Sequence, residues 1–162
     1  MDTPLKAGLI TISDRASGGV YDDLSGPALK AAAEGYGWHV LAQAVVADDK
    51  GEIQRAVRDQ ITRGCRLILT TGGTGVGLRD VTPEAVREIG GRELPGFGEV
   101  MRRESFKVNP NAILSRSLAM VAGRTLVICL PGKPQGAVEC LGFVAGAVAH
   151  CLEVLGEGPA SC

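Results

Sequence analysis

The sequence has few of the side chains that build zinc sites. It contains two histidines and five cysteines, and no two cysteines form a Cys-x-x-Cys pair. Because zinc ligands usually occur as closely spaced Cys and His pairs, we do not expect a zinc site. Four of the five cysteines lie in or beside apolar runs, which favours buried, reduced thiols. These residues are Cys65, Cys129, Cys140, Cys151 and Cys162, with His39 and His150.

The sequence also lacks an excess of charge of either sign. Seventeen Lys and Arg residues are balanced by eighteen Asp and Glu residues, and no basic block is present. A protein that follows a nucleic-acid backbone normally carries such a block, so nucleic acid is not an expected partner. Any anionic ligand must therefore be held by a local group of residues.

No segment shows the pattern of a signal peptide or a membrane span. Residues 1–6 lack a long apolar core. The most apolar late stretch, Cys140 to Leu152, is shorter than the ~20 residues that cross a bilayer. We therefore expect a cytoplasmic protein without membrane contact.

Glycine, in contrast, is abundant. The 23 glycines make up about 14% of the 162 residues, roughly twice the usual share. A hydrophobic fraction of 45% and the lack of a three-residue glycine period exclude a disordered or collagen-like chain. The length fits a single globular domain over residues 1–162.

Alternating apolar segments predict an α/β fold. Short, nearly continuous apolar runs, typical of strands buried on both faces, occur at residues 7–13, 40–46, 67–71 and 125–130. Stripes with helical spacing lie between them: Leu29, Ala32, Ala33 and Tyr36, then Ile53, Val57 and Ile61. Strands that alternate with helices indicate a mainly parallel sheet covered by helices.

The C-terminal segment from Val138 to Leu155 predicts a long helix that is apolar on more than one side. One stripe steps by three and four residues, and Phe143, Ala147 and Val154 add apolar surface elsewhere. Such a helix either occupies the centre of the monomer or contributes to a subunit interface. The sequence leaves both alternatives open.

The densest polar signal is the glycine loop, defined here as residues 70–77, directly after the third predicted strand. Four glycines in the six residues 72–77 allow several backbone N–H groups to point at one anion, so phosphate is the expected ligand. The loop is not a P-loop, because Leu78 and Arg79 stand where Lys and Ser/Thr are required. Leu78 also replaces the third glycine of a dinucleotide-binding loop. A flexible turn is the alternative interpretation.

Asp80 follows the glycine loop and precedes a predicted helix start. There Thr82 is expected to be the cap, Pro83 the first helical residue, and Glu84 a favourable charge against the helix dipole. Asp80 is either an alternative cap or, as we favour, a ligand or metal contact. Mg²⁺ fits this position because it is held by one or two carboxylates plus substrate phosphates.

Polar residues also follow the other predicted strands, at the edge where ligands bind in open parallel sheets. Asp48 and Asp49 follow the second strand, and one of them is expected to cap the next helix. Residues 13–15 follow the first strand. Residues 131–133 follow the last, with a lysine at a helix N-terminus that already favours an anion. Residues 109–117 are predicted as a loop.

These motifs together resemble the Mog/MoaB family, with the closest likeness to bacterial molybdopterin adenylyltransferases. The matching segments are 12–17, 70–75, 79–84, 95–99, 114–116 and 130–132, in the family's order along nearly the whole chain. The resemblance implies a three-layer α/β/α fold, usually trimeric. It also implies transfer of AMP from ATP to molybdopterin, with Mg²⁺ and release of pyrophosphate, during molybdenum cofactor synthesis.

The resemblance assigns site residues by position. It implies that Asp48 and Asp80 are catalytic and hold Mg²⁺. Asp49 is an alternative to Asp48, because the family often has Pro-Asp-Glu where this chain has Ala47-Asp48-Asp49. The implied substrate-binding residues are Ser13, Asp14, Thr71, Gly72, Gly73, Thr74, Gly75, Arg79, Ser115, Pro131, Gly132 and Lys133.

The lack of a nucleophile motif agrees with adenylyl transfer. The terminal phosphate of molybdopterin is already ionised near neutral pH, so the reaction needs alignment and charge neutralisation rather than a catalytic base. Two alternatives stay open within the same fold: a non-catalytic molybdopterin carrier or scaffold, and a hydrolase of nucleotide-sugar pyrophosphates. Other molybdenum cofactor biosynthesis proteins are further expected partners.

Overall fold

All four strands predicted from the apolar runs are present in the computed structural model, which describes residues 3–156. The strands are β1 (Lys6–Ile12), β2 (His39–Val46), β3 (Leu67–Thr71), β4 (Arg92–Glu93), β5 (Leu118–Ala122) and β6 (Thr125–Leu130). They form one six-stranded sheet in the order β2-β1-β3-β6-β5-β4. β2, β1, β3 and β6 are parallel, as predicted, and their carboxyl ends therefore lie at one edge.

The antiparallel strands β4 and β5 are not among the predicted strands. β4 consists of two exposed residues, so it carries no apolar pattern. β5 is a short buried run paired with β6 through a tight turn at Gly123, whose φ is 60°. The apolar run Leu118–Ala122 was the available signal for β5.

The helices lie between the strands, as the periodicity predicts. They are α1 (Asp14–Ser17), α2 (Ser25–Gly35), α3 (Lys50–Thr62), α4 (Thr82–Ile89), α5 (Pro95–Phe106) and α6 (Pro134–Gly156). α5 is not among the predicted helices, because Gly98 and Met101 are its only buried residues and form a narrow stripe. The prediction of a loop over 109–117 was wrong in part. Pro110–Leu114 forms a 3₁₀ helix whose start is capped by the Asn109 side chain.

Two apolar clusters, one on each face of the sheet, make the fold three-layered. Leu9 of β1 packs in the cluster that includes residues of α2, α5 and α6. Ile10, the next residue, packs in the cluster that includes residues of α3 and α4. Successive strand side chains point to opposite faces, so a continuous apolar run supplies both clusters. The predicted α/β/α architecture is confirmed.

Helix α6 has one face in the core and another at the surface. Leu141 and Val148 are fully buried, whereas Phe143 and Val154 are 41% and 52% exposed. The helix has 23 residues, and an 18-residue window within it has a mean hydropathy of 1.7, which by length and composition is enough to cross a membrane. The sequence-based estimate of a shorter segment was therefore wrong. Burial of one face in the core makes this pattern weak evidence for a membrane span.

The described cysteines are free thiols, as predicted. Cys65, Cys129 and Cys140 are buried, and Cys151 is half-buried. Burial raises the pKa of Cys129 to about 12, so its thiol stays protonated near neutral pH. Cys162 lies outside the described residues.

Candidate active site

A cavity of about 340 Å³ opens at the carboxyl edge of the sheet. It lies beside the ends of β1, β2, β3 and β6, where the parallel arrangement brings the polar loops together. Eight of the predicted site residues line it: Ser13, Asp48, Thr71, Gly72, Gly73, Asp80, Gly132 and Lys133. The juxtaposition of the strand ends is thus as expected from the sequence.

The first part of the glycine loop depends on backbone conformations that favour glycine. Gly72 and Gly73 have φ values of 104° and 66°. A Cβ atom on Gly72 would collide with the carbonyl oxygen of Ile12, which belongs to the neighbouring strand β1. At Gly73 it would collide with the Thr82 hydroxyl. The loop is therefore packed closely against its neighbours and is not merely a flexible turn.

Thr82 does not cap α4, so that prediction was wrong. The residue before the helix is Val81, and no side chain caps the helix start. The Thr82 hydroxyl lies beneath the glycine loop and donates to the carbonyl of Gly72 at 2.9 Å. Pro83 and Glu84 do lie in the first turn, as predicted. Because the hydroxyl and the carbonyl are both buried, each needs a partner, and their hydrogen bond stabilises the loop.

The Asp80 carboxylate lines the cavity and also closes the turn that precedes it. Its Oδ2 accepts a hydrogen bond from the backbone N–H of Gly77 at 2.8 Å. Asp80 is therefore not the alternative cap of α4. The contact holds the carboxylate beside the glycine loop, where it borders the cavity.

Asp48 and Asp49 have different roles in the structure. Asp49 caps α3, because its Oδ1 accepts from the N–H of Glu52 at 2.9 Å. Asp48 instead lines the cavity. The prediction that one of the pair caps the helix is confirmed, and it leaves Asp48 as the carboxylate that faces the glycine loop.

Asp48 and Asp14 connect the ends of β2 and β1 reciprocally. The N–H of Asp14 donates to Asp48 Oδ2 at 2.9 Å, and the N–H of Asp48 donates to Asp14 Oδ1 at 3.0 Å. Burial raises the pKa of the Asp48 carboxylate above its usual value, and the negative charges of Asp14 and Asp80 raise it further. The hydrogen bond from the N–H of Asp14 acts in the opposite direction and lowers this pKa. A cation bound beside Asp48 would favour its ionised form.

Arg79 forms a two-point ion pair with Asp14, the hydrogen-bond partner of Asp48. Its Nε and Nη2 donate to the carboxylate oxygens of Asp14 at 3.0 Å and 2.9 Å. The hydrogen bonds from Arg79 lower the pKa of Asp14. Both side chains are well exposed, so the pair contributes little to stability. Its effect is to hold a guanidinium next to Asp48.

Two side-chain hydroxyls bind the backbone carbonyls of the residues that directly follow β6. Thr71 Oγ1 donates to the carbonyl of Pro131 at 2.7 Å, and Ser25 Oγ donates to the carbonyl of Gly132 at 2.6 Å. The next residue, Lys133, lines the cavity, and its carbonyl accepts from Ala137 in the first turn of α6. A lysine therefore stands at the start of a long helix, as predicted.

The segment between α1 and α2 also lines the cavity, although its residues are not among the predicted site residues. Tyr21 is 55% exposed and is the only aromatic residue lining the cavity among residues 3–156. Asp23 accepts from Thr11 Oγ1 and from the N–H of Gly26, both at 2.9 Å. The signal available was the Asp22-Asp23 pair just before the Ser25-Gly26-Pro27 helix start.

The remaining predicted residues are near the cavity but do not line it. Thr74 is buried, and the carbonyls of Thr74 and Gly75 accept hydrogen bonds from Arg116. Ser115 Oγ accepts from the N–H of Ser117 at 3.3 Å. Their substrate contacts, like those of Asp14, Arg79 and Pro131, stay predictions.

Comparisons with known proteins identify the family. Residues 8–150 match a family described as "Probable molybdopterin binding domain". The chain is 43% identical over 151 residues to the molybdopterin adenylyltransferase of Helicobacter pylori strain J99, covering 91% of this chain and 86% of that protein. It is 39% identical over 176 residues to the enzyme of the same name from Escherichia coli K12, covering 96% and 87%.

A solved structure agrees with the sequence relatives. The molybdopterin biosynthesis enzyme MoaB of Thermus thermophilus superposes with a TM-score of 0.88 at 40% identity, covering 96% of this chain and 98% of that one. The family match over residues 8–150 includes every residue that lines the cavity. The chain therefore belongs to the Mog/MoaB family of molybdopterin-binding domains.

Proposed function

We propose that the protein is a molybdopterin adenylyltransferase, which transfers AMP from ATP to molybdopterin and releases pyrophosphate. The relatives that carry this name match nearly the whole chain. The observation that carries the proposal is the placement of Asp48 and Asp80 with the glycine loop and Lys133 in one cavity. We also take residues 1–162 as one molybdopterin-binding domain in a cytoplasmic protein.

Asp48 and Asp80 are the residues that would hold Mg²⁺. Residues 3–156 contain no group of three or more metal-binding side chains. Two carboxylates beside a phosphate-binding loop nevertheless fit Mg²⁺, which completes its coordination with substrate phosphates and water. A bound cation would offset the burial that raises the pKa of Asp48. Bound there, Mg²⁺ would neutralise charge on the α-phosphate and the departing pyrophosphate.

The chain itself supplies binding, alignment and positive charge. The N–H groups of residues 73–76 of the glycine loop and the N-terminus of α6 would provide donors for phosphate oxygens, whereas the N–H groups of Gly72 and Gly77 donate to protein oxygens. Lys133 adds a cation at the same helix start. The attacking phosphate of molybdopterin needs no proton acceptor, so the site needs only to align two anions that repel each other.

The function is tested by incubating the purified protein with ATP, Mg²⁺ and molybdopterin. We expect one pyrophosphate and one adenylylated molybdopterin per turnover. Tight molybdopterin binding without pyrophosphate would instead indicate a carrier or scaffold. Cleavage of a nucleotide-sugar pyrophosphate without ATP would indicate a hydrolase.

The roles of the adjacent aspartates can be separated by matched substitutions. Asp48→Asn removes a charge from the cavity but keeps an oxygen for the N–H of Asp14, so we expect AMP transfer to fall by about 100-fold. Asp49→Asn is the control, because Asn caps helices as well as Asp does, and it should transfer AMP at the wild-type rate. Steady-state pyrophosphate release measures both. Equal losses in the two variants would contradict the assignment of Asp48.

We further propose a homotrimer that uses the exposed side of α6. Phe143 and Val154 are half exposed there, and Gly146 on the same side, where a Cβ would meet no atom within 4 Å, leaves room for close packing. Phe143→Asp is expected to shift the solution mass from three chains to the single-chain value of 16.8 kDa, measured by light scattering. Val108→Asp, at an 83% exposed apolar residue elsewhere, should leave the mass unchanged. A trimeric Phe143→Asp variant would exclude this face.

A further inference from the structure

Arg116 binds the glycine loop but does not line the cavity. It lies between the 3₁₀ helix and β5. Its Nε donates to the carbonyl of Gly75 at 2.8 Å, and its Nη2 donates to the carbonyl of Asp80 at 2.7 Å. Its backbone N–H donates to the carbonyl of Thr74 at 2.8 Å. One residue therefore binds three carbonyls of the segment that carries Asp80.

The two carbonyls bound by the guanidinium are the ends of an exposed turn. Between Gly75 and Asp80, Val76 is 69% exposed and Leu78 is fully exposed. These apolar side chains are not packed in the core, so they cannot set the shape of the turn. Its shape depends on polar contacts. These are the bonds from Arg116, the two bonds between Gly77 and Asp80, and the pair of Arg79 with Asp14.

Glu84 is a further group that binds the Arg116 side chain. Arg116 Nη1 forms an ion pair with Glu84 Oε1 in the first turn of α4. Burial raises the pKa of Glu84, but hydrogen bonds from Arg116 and from its own backbone bring the pKa below its usual value. The glutamate is therefore ionised and compensates the guanidinium. Arg116 is committed to protein groups, unlike Lys133, which lines the cavity.

We propose that Arg116 is a positioning residue for the metal-binding carboxylate. By holding the carbonyls of Gly75 and Asp80 in one planar fork, it determines the direction in which the Asp80 carboxylate enters the cavity. The proposal rests on the proposed function, because it assigns Arg116 a role in Mg²⁺-dependent AMP transfer.

Arg102 offers a matched control. Its Nη1 donates to the carbonyls of Ser115 and Ser117 at 3.3 Å and 2.8 Å, so it holds the same chain segment from α5. It makes no hydrogen bond to the glycine loop in the described part of the chain. Arg102→Ala therefore removes a guanidinium from the same region and leaves the Arg116 side chain and its acceptors at Gly75 and Asp80 unchanged. A general loss of stability would appear in both variants.

The test compares Arg116→Ala, Arg116→Lys and Arg102→Ala with the wild type. For Arg116→Ala we expect kcat to fall roughly 10- to 100-fold and the Mg²⁺ concentration for half-maximal rate to rise several-fold, with molybdopterin affinity kept. The three donors of a lysine lie on one nitrogen and cannot span acceptors that Arg116 binds through three separate nitrogens, so Arg116→Lys should stay impaired. Free guanidinium ion should restore part of the Arg116→Ala rate. Arg102→Ala should keep the wild-type Mg²⁺ dependence.

Hydrogen exchange provides a readout that does not depend on activity. The amides of residues 75–80 should exchange at least several-fold faster in Arg116→Ala than in Arg102→Ala or the wild type. Unchanged exchange, or an unchanged Mg²⁺ dependence in Arg116→Ala, would overturn the proposal. A wild-type protein that releases no pyrophosphate would instead overturn the proposed function, and the exchange experiment keeps these two failures distinct.

Discussion

Asp80→Asn is expected to lower Mg²⁺-dependent AMP transfer by roughly a thousand-fold or more while molybdopterin binding stays largely intact. The substitution preserves shape, because the Asn side-chain oxygen can still accept from the N–H of Gly77, as Asp80 Oδ2 does at 2.8 Å. Only the negative charge is removed. The loss of rate would therefore report the charge that holds Mg²⁺ and not the fold of the turn.

The measurement combines single-turnover pyrophosphate release with equilibrium binding of molybdopterin. Asp59→Asn is a suitable control, because Asp59 forms an exposed ion pair with Arg63 on α3 at 2.7 Å and should not affect turnover. If Asp80→Asn turned over at the wild-type rate, the metal-site assignment would be wrong. If it lost molybdopterin binding to the same degree as activity, Asp80 would act on the pterin substrate instead.

Gly72→Ala is expected to destabilise the protein by about 2 to 4 kcal/mol and to abolish substrate binding. Two costs add at this position. A φ of 104° is unfavourable for alanine, and the new Cβ would meet the Ile12 carbonyl oxygen of strand β1. Because that contact is with backbone, no side chain can move aside. A thermal melt should show a fall in Tm of roughly 4 to 16 °C.

Gly37→Ala separates the two costs. Gly37 has a comparable φ of 79°, but a Cβ there would meet no atom within 4 Å. It should therefore cost about 1 kcal/mol for the backbone conformation alone. Equal destabilisation by both substitutions would show that the packing of the glycine loop against β1 contributes nothing.

The sequence predicted the structure correctly where a feature depends on a few residues that are close together in the chain. The apolar runs gave the four parallel strands, and Asp49 caps α3 through a residue three positions away. The sequence-based predictions failed where a side chain binds a partner that is remote in the sequence. Thr82 had the residue type and position of a helix cap, yet its hydroxyl binds the Gly72 carbonyl ten residues earlier. Capping preferences describe an isolated helix start, and a buried acceptor nearby overrides them.

The candidate site shows the same difference between features that depend on nearby residues and features that depend on remote ones. The aspartates, the glycines and Lys133 were identified from their positions at strand ends, because parallel strands bring those ends to one edge. The segment 21–25 and the contacts of Arg116 with the glycine loop were not identified from the sequence. Arg116 lies 41 residues from Gly75 in sequence, and nothing in the local pattern links them. The Asp14 partner of Arg79 is likewise 65 residues away.

The sequence by itself determined the α/β alternation, the loop that exposes backbone amides, and the strand ends that carry carboxylates. These follow from periodicity and from residue types that act within a few positions. Only the tertiary structure decided that Asp48 and not Asp49 faces the cavity, and that Arg116 holds the turn before Asp80. The physical reason is that the hydrogen-bond partner of a polar group is determined by distance and burial in the folded chain. Folding brings together residues that are far apart in sequence.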